Sequence, residues 1–312
     1  NGLPTVTVLS KLSLRALKIN PTSGEILRDI EVFKKNRPQW VHKLNSYASP
    51  SPLIDDGRLF LHFGAYGNAC IDSESGKIIW KNNEKILWVM HENGPGSSPV
   101  LWKNLMIFHL DGSDNQSIVA LQKDTGKIAW QTTRSGEMRG NPQFQKSYST
   151  PIIEKFNGQS VLISCAADWV YGYNPENGKE LWKIKYGILG FSNVARPVVD
   201  HGMIFLSTCF MKAEIHAYQY EGLVTPKLAW KMTKGAPKMP SPILVGDQLY
   251  IVNDGGILSC VNAKTGELDW RERLDGEFSA SPTFANGLLY LSDRAGKTTV
   301  IRPGKSLQII AE

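Results

Sequence analysis

The sequence predicts an all-β chain folded as a β-propeller of four-stranded antiparallel blades, and three observations carry that prediction. A polar turn closed by glycine, with tryptophan four residues later, recurs at Asp72–Gly76–Trp80, Asp124–Gly126–Trp130, Asn174–Gly178–Trp182 and Asn262–Gly266–Trp270. Weaker copies replace the tryptophan (Asn20–Gly24–Arg28) or lose the glycine (Thr225–Trp230). The markers Arg28, Trp80, Trp130, Trp182, Trp230 and Trp270 are spaced 52, 50, 52, 48 and 40 residues apart, the pitch of one blade plus variable loops. A second marker precedes each tryptophan by about 30 residues, as Ser51-Pro52, Ser98-Pro99, Thr150-Pro151, Arg196-Pro197 and Ser241-Pro242, with a further copy at Ser281-Pro282.

Each blade element follows from local chemistry. Proline lacks an N–H donor and suits the first residue of a strand, so each Pro marks the start of a blade's first, innermost strand. A turn such as Asp55-Asp56-Gly57, Val245-Gly246-Asp247 or Ala285-Asn286-Gly287 then leads into an apolar second strand, the hairpin pattern. The third strand is the apolar stretch before the polar turn, Ile118–Leu121 or Val170–Tyr173. Glycine supplies the turn's positive φ, and Asn or Asp bonds its own backbone. The tryptophan falls on the fourth strand, where it is expected to dock on the neighbouring blade.

Seven units are counted within a single domain, 1–312. The first covers roughly Thr5–Phe33 and lacks its Pro-marked strand. That leaves room for an eighth blade, or for ring closure by residues before Asn1. The seventh runs from Pro282 and ends in Gly304–Gln308, with Gln at the tryptophan position.

The 35 basic and 29 acidic residues leave a net charge of +6 without a basic run, so nucleic acid is not an expected partner. No apolar stretch approaches the roughly 18 residues of a membrane span, and no signal-peptide pattern opens the chain at Asn1. Cys70 and Cys260 each lie ten residues before a blade tryptophan, where a sister repeat has Ala120. They read as buried thiols in a small-residue slot. Cys165 and Cys209 fall on second strands of adjacent blades, and all four are read as free. No Cys/His zinc spacing, nucleophile elbow or helix-linked phosphate loop is present.

The motif Asp/Asn-x-x-x-Gly-Lys/Glu-x-x-Trp, from about Leu14 to Val300, resembles the quinoprotein-like propellers. These include quinoprotein alcohol dehydrogenases and the BamB-type outer-membrane assembly lipoprotein. Asn45–Pro50, His62–Cys70, Gly94–Pro99, Lys234–Pro237 and Ser279–Pro282 are similar to phrases of the PQQ-binding-like repeat proteins common in planctomycete-type bacteria. The resemblance implies a periplasmic or extracytoplasmic home. Quinone-dependent members of the class use a disulfide between adjacent cysteines, a Trp platform and a calcium held by Glu, Asn and Asp. No two cysteines are adjacent here, so no bound quinone is expected.

The loops are unequal: long inserts separate Trp80 from Pro99 and Trp130 from Pro151. Long polar loops on a rigid frame are where function concentrates. Four of six histidines, His42, His62, His91 and His109, lie in one sector with Glu92, Asp111 and Asp114. His62, His91 and His109 are candidate ligands for a divalent metal, or the sector could do acid–base work. Alternatively, its histidines satisfy buried hydrogen bonds. His201, in a turn, is expected to be exposed. Arg196 stands where other blades have Ser or Thr, so its guanidinium either clamps an anion or bridges strand carbonyls. Tyr47, Tyr148 and Lys238 could join that anion site, and Arg139 lies in a long insert.

Two functions from different classes follow. The first is an exported binding platform that recognises a protein segment or a glycan on the long-loop face, with strand edges open to β-addition. The second is a carbohydrate-active lyase or hydrolase, with His62 or His91 as base, Tyr148 as acid and Arg196 clamping a uronate carboxylate.

Overall fold

The computed structural model describes residues 11–188 and 190–312. The first residues of the predicted first unit, from Thr5 to Ser10, lie outside them. Two compact units divide the chain, Asn1–Arg134 and Ser135–Glu312.

In the first unit, blade 1 is a two-stranded antiparallel sheet, Lys11–Ile19 with Ile26–Asn36. Blade 2 comprises Leu53–Asp55, Arg58–His62, Asn68–Asp72 and Ile78–Asn82. Blade 3 comprises Val100–Trp102, Leu105–Asp111, Gln116–Gln122 and Ile128–Thr133. The second unit holds four more four-stranded blades, starting at Ile152, Val198, Ile243 and Thr283. Strands are ordered 1-2-3-4 and antiparallel throughout, and each first strand begins just after its proline. Helix is confined to three short 3-10 turns among the described residues, and none is long or apolar enough to cross a membrane.

The first hairpin of blade 2 turns through Asp56 (φ 47°) and Gly57 (φ 68°), the pair of positive φ values that matches strand twist in a two-residue loop. The recurring serine before each proline has a structural reason. The Ser51 N–H donates to Ser98 Oγ (2.8 Å), the Arg196 N–H to Ser241 Oγ (2.9 Å) and the Ser241 N–H to Ser281 Oγ (2.9 Å). Each of these serines is the acceptor for the start of the preceding blade.

Every blade tryptophan faces a small residue on the third strand. Trp80 pairs with Cys70, Trp130 with Ala120, Trp182 with Gly172, Trp230 with Ala217 and Trp270 with Cys260. A register shift adjoins each pair, the mark of a β-bulge. A Cβ on Gly172 would lie 2.6 Å from Trp182 Cζ2, so the slot is small because the indole lies over it. The indole also reaches the next blade: the Trp80 Nε1–H donates to the Lys123 carbonyl (2.7 Å), Trp230 to Ala263 (2.9 Å) and Trp270 to Gly304 (3.0 Å). Trp182 differs from these three, its buried Nε1–H having no acceptor among the described residues. The blade that follows it carries the degenerate turn without the motif's glycine.

All four cysteines are free and buried. Burial pushes the Cys70 thiol up to about 11 and Cys260 to about 12, which keeps them protonated and inert. Cys209 departs from its expected strand position. It lies beyond the second strand Met203–Ser207, at φ 67°.

Candidate functional site

In the first unit, the long insert after Trp80 is tied to the segment before Pro52 by the side chains of Gln39 and of Asn45, whose amide donates to the Asn93 carbonyl (2.8 Å) and the Pro95 carbonyl (3.1 Å). The Gln39 amide donates to the Val89 carbonyl (2.9 Å) and its oxygen accepts the His91 N–H (3.0 Å). The Gln39 backbone N–H donates to the Tyr66 hydroxyl, while the Tyr47 hydroxyl donates to the Gln39 carbonyl. Tyr47 is therefore a structural tie between these segments. Asp114 Oδ1 accepts the Met90 N–H (2.6 Å), the same kind of tie. Glu92, at φ 63°, is half-buried at the bend of the insert.

The histidine sector is dry. His62, His91 and His109 are 4%, 6% and 1% exposed. The His62 ring meets Phe108 at 4.4 Å, and its Nδ1 bonds Asn68 Oδ1 (2.7 Å). Burial lowers its pKa to about 4. His91 is lowered to about 3 by burial and by the charge of His62. Its Nε2 accepts the Ala65 N–H (3.0 Å), a bond that protonation of that nitrogen would abolish. Asp111 is 2% exposed and bonded at both oxygens by Arg134, at 3.1 and 2.7 Å. Burial raises its pKa against the pull of that guanidinium. His109 Nδ1 stands 3.8 Å from Asp111 Oδ2. His62 and His91 are held as neutral rings and Asp111 meets Arg134 as a compensated ion pair, which favours the hydrogen-bonding alternative for the sector. Among the described residues no group of three or more His, Cys, Asp or Glu is arranged to hold a metal. No two cysteines are adjacent in the sequence, so the disulfide over the quinone has no counterpart among these residues.

The second unit presents a different surface. The insert before Pro151 is zipped to the connection between blades 4 and 5. Ser147 forms a parallel bridge with Asn193, the Tyr148 N–H donates to the Asn193 carbonyl (2.7 Å), and the Ser192 N–H donates to the Lys146 carbonyl (2.7 Å). Ser149 Oγ–H donates to the Ala195 carbonyl (2.9 Å). Tyr148 is 8% exposed within this zipper, which buries it rather than offering it as an acid. At Gly190 the two backbones come so close that a Cβ would overlap the Thr208 carbonyl.

The zipper sets out a row of aromatic and cationic groups. The Arg139 guanidinium pairs with Asp168 (2.7 Å) and covers Phe144 at 4.7 Å and Phe191 at 5.4 Å. Phe144 and Phe191 are 4.9 Å apart, and Phe191 meets Phe210 edge-on at 5.5 Å. The Lys238 ammonium stands 5.7 Å from the Phe210 ring, and the Lys238 backbone N–H donates to Asp254 Oδ2 (2.7 Å). Phe210 and Met211 are each 54% exposed. Of the residues expected from sequence, Arg139 and Lys238 belong to this row. Arg196 does not: it is exposed, and its charge is felt by Glu154. His201 is exposed as expected, between Asp200 and Asp247. Phe144, Phe191 and Phe210 were not picked out from sequence. Large apolar residues inside loops, above all Phe210-Met211, were the available signal.

A sequence profile of the family described as outer membrane protein assembly factor BamB matches residues 18–221 and, in a second overlapping span, 166–303. BamB of Shewanella oneidensis is 20% identical over 263 residues, covering 80% of this chain and 62% of that protein. The quinoprotein alcohol dehydrogenase PedH of Pseudomonas putida is 27% identical over 193 residues, covering 57% of this chain and 30% of its own length. The chain thus spans less than two thirds of either relative. Among solved structures, BamB from Moraxella catarrhalis superposes with a TM-score of 0.51 at 13% identity, covering 95% of this chain and 99% of that one. Quinohemoprotein alcohol dehydrogenase from Comamonas testosteroni gives 0.65 at 14% identity, covering 89% and 60%. At such identities the structural likeness is one of fold, the β-propeller, and function does not travel with it. With the family profile running over most of its length, the chain belongs to the family of the outer membrane protein assembly factor BamB.

Proposed function

We propose that this chain is an extracytoplasmic protein-binding scaffold that serves the assembly of outer-membrane proteins and holds an extended segment of a partner protein on the aromatic row of its second unit. The observation that carries this reading is the Phe144–Phe191–Phe210 row, with Phe210 and Met211 left more than half exposed on a rigid, zippered base. Exposed aromatics held in place supply contact area at low entropic cost and are typical interface anchors. Lys238, on the face of Phe210, adds a cation at one end of the row, so the favoured segment carries an apolar or aromatic residue next to an acidic one.

The names of the BamB relatives support the assembly role, and the burial of His62, His91 and Tyr148 supports binding over lyase or hydrolase chemistry. The test is a benzophenone amino acid placed at Phe210, with Ile54, which is more exposed still, as the control, in cells exporting the protein. The expected result is a specific crosslink at 210 to an outer-membrane protein or a component of its assembly machinery. That crosslink should be lost when Lys238→Glu is added. Equal patterns at both positions, or none at 210, would overturn the reading.

A further inference from the structure

In the first unit, the insert after Trp80 alternates like a strand from Ile86 to His91. Leu87, Val89 and His91 are buried, the first two in one core cluster with Phe108 and Leu110 of blade 3, while Ile86, Trp88 and Met90 are exposed. The segment before Pro52 adds Trp40 and Leu44, both exposed, and Gln39 and Asn45 bind that segment to the insert. Trp40 is 54% and Trp88 43% exposed. Two indoles and the side chains of Leu44, Ile86 and Met90 thus stand in water on a base held by hydrogen bonds. Exposed apolar surface of this kind marks an interaction site, and none of these residues belongs to the aromatic row.

The charges beside these side chains say what covers them. The stretch from Lys34 to Leu44 holds Lys34, Lys35, Arg37 and Lys43 and no acidic residue. Arg37 and Lys43 are exposed near Trp40 and Leu44, and Lys85 is exposed next to Ile86. The nearby acids are turned to the protein: Glu84 accepts the Asn82 amide (3.1 Å), Asp114 accepts the Met90 N–H, and Glu92 is half-buried. Protein interfaces are depleted of lysine. Lysine and arginine beside tryptophan and aliphatic side chains instead form the pattern that seats a surface among lipid headgroups. Tryptophan joins an apolar ring to an N–H donor, which suits that boundary, and a net charge of +6 favours anionic over neutral lipid.

We propose that this patch docks the protein on the surface of an anionic phospholipid bilayer, with Trp40 and Trp88 at headgroup depth and Arg37, Lys43 and Lys85 meeting lipid phosphates. The proposal does not rest on the scaffold reading, which uses other residues.

Co-sedimentation of the purified protein with sucrose-loaded vesicles of phosphatidylcholine and phosphatidylglycerol tests it, with pure phosphatidylcholine vesicles as the neutral control. The protein should bind the mixed vesicles about tenfold or more tightly than the neutral ones. Trp40→Ala combined with Trp88→Ala should weaken binding about tenfold, and Lys43→Ala and Lys85→Ala about fivefold each. Phe210→Ala should leave vesicle binding unchanged, which separates this surface from the aromatic row. Brominated phosphatidylcholine in the mixed vesicles should quench tryptophan emission of the native protein and not of the double tryptophan variant. No sedimentation at about 1 mM lipid, equal binding to neutral vesicles, or full affinity in the double tryptophan variant would overturn the proposal. Binding of poly-L-glutamate in place of vesicles would overturn it in favour of an acidic protein partner.

Discussion

The indole of Trp80 occupies the space that a side chain on Gly126 would need. A Cβ there would fall 2.6 Å from Trp80 Cδ2, and the Trp80 N–H is already bonded to the carbonyl of Lys123, three residues earlier. Trp230 and Gly266 repeat the relationship, again at 2.6 Å. The two conspicuous residues of the repeat are thus a pair across blades. Glycine supplies the turn's positive φ and also the seat for the preceding blade's ring.

Gly126→Ala should therefore cost more than its backbone strain. Gly57, at φ 68° with open space around it, is the control. We expect Gly57→Ala to destabilise by about 1 kcal/mol and Gly126→Ala by about 2–4 kcal/mol, the addition being overpacking. Urea unfolding of the two variants checks this, and equal losses would refute the shared seat.

Trp182 predicts the opposite contrast. Its buried N–H has no acceptor among the described residues, whereas that of Trp80 is bonded. Replacement by Phe removes ring volume at both sites, but at position 80 it also leaves the Lys123 carbonyl unbonded. Trp80→Phe should cost about 1 kcal/mol more than Trp182→Phe. A larger loss at 182 would show that the hydrogen bond does not matter.

Acid should act through His62 and His91. Their folded pKa values, about 4 and about 3, lie below the ordinary 6.5. Between those values and 6.5 the unfolded chain binds protons that the native rings refuse, so stability rises with pH there. Their contribution is complete above about pH 6.5 and falls away as pH drops towards 4 and 3, by on the order of 3 kcal/mol for each ring. The double variant His62→Gln, His91→Gln should flatten the stability slope between pH 6.5 and 4. An unchanged slope would place its origin elsewhere.

The Asp111–Arg134 pair has no exposed side-chain surface. Arg134→Met leaves a buried carboxylate without its counter-charge and should cost about 3–5 kcal/mol. Asp111→Leu combined with Arg134→Met should recover most of that loss. If the double variant is as unstable as the single one, packing and not charge explains the site.

The site was only partly legible from sequence. The sector holding His62, His91, His109 and Asp111 was visible as a cluster along the chain, with buried hydrogen bonding as one of its two readings, but the Arg134 partner of Asp111 was not. Arg139 and Lys238 were visible as charges, and the phenylalanines that join them were not. Arg196 was visible as an anomaly, yet its charge is directed at Glu154, a residue that nothing in the repeat singles out.

By itself the sequence determined the blades. Their strand order, proline starts, hairpin turns and tryptophan positions follow from alternation and turn chemistry within a few residues of each position. Only the tertiary structure decided which loop side chains meet. The zipper of residues 146–149 with 192–195, the seating of Phe191 between Phe144 and Phe210, and the tie of Gln39 to Val89 and His91 depend on backbones distant in sequence coming into van der Waals contact. Such contacts are set by packing density and by the satisfaction of buried polar groups, neither of which leaves a periodic trace in the chain.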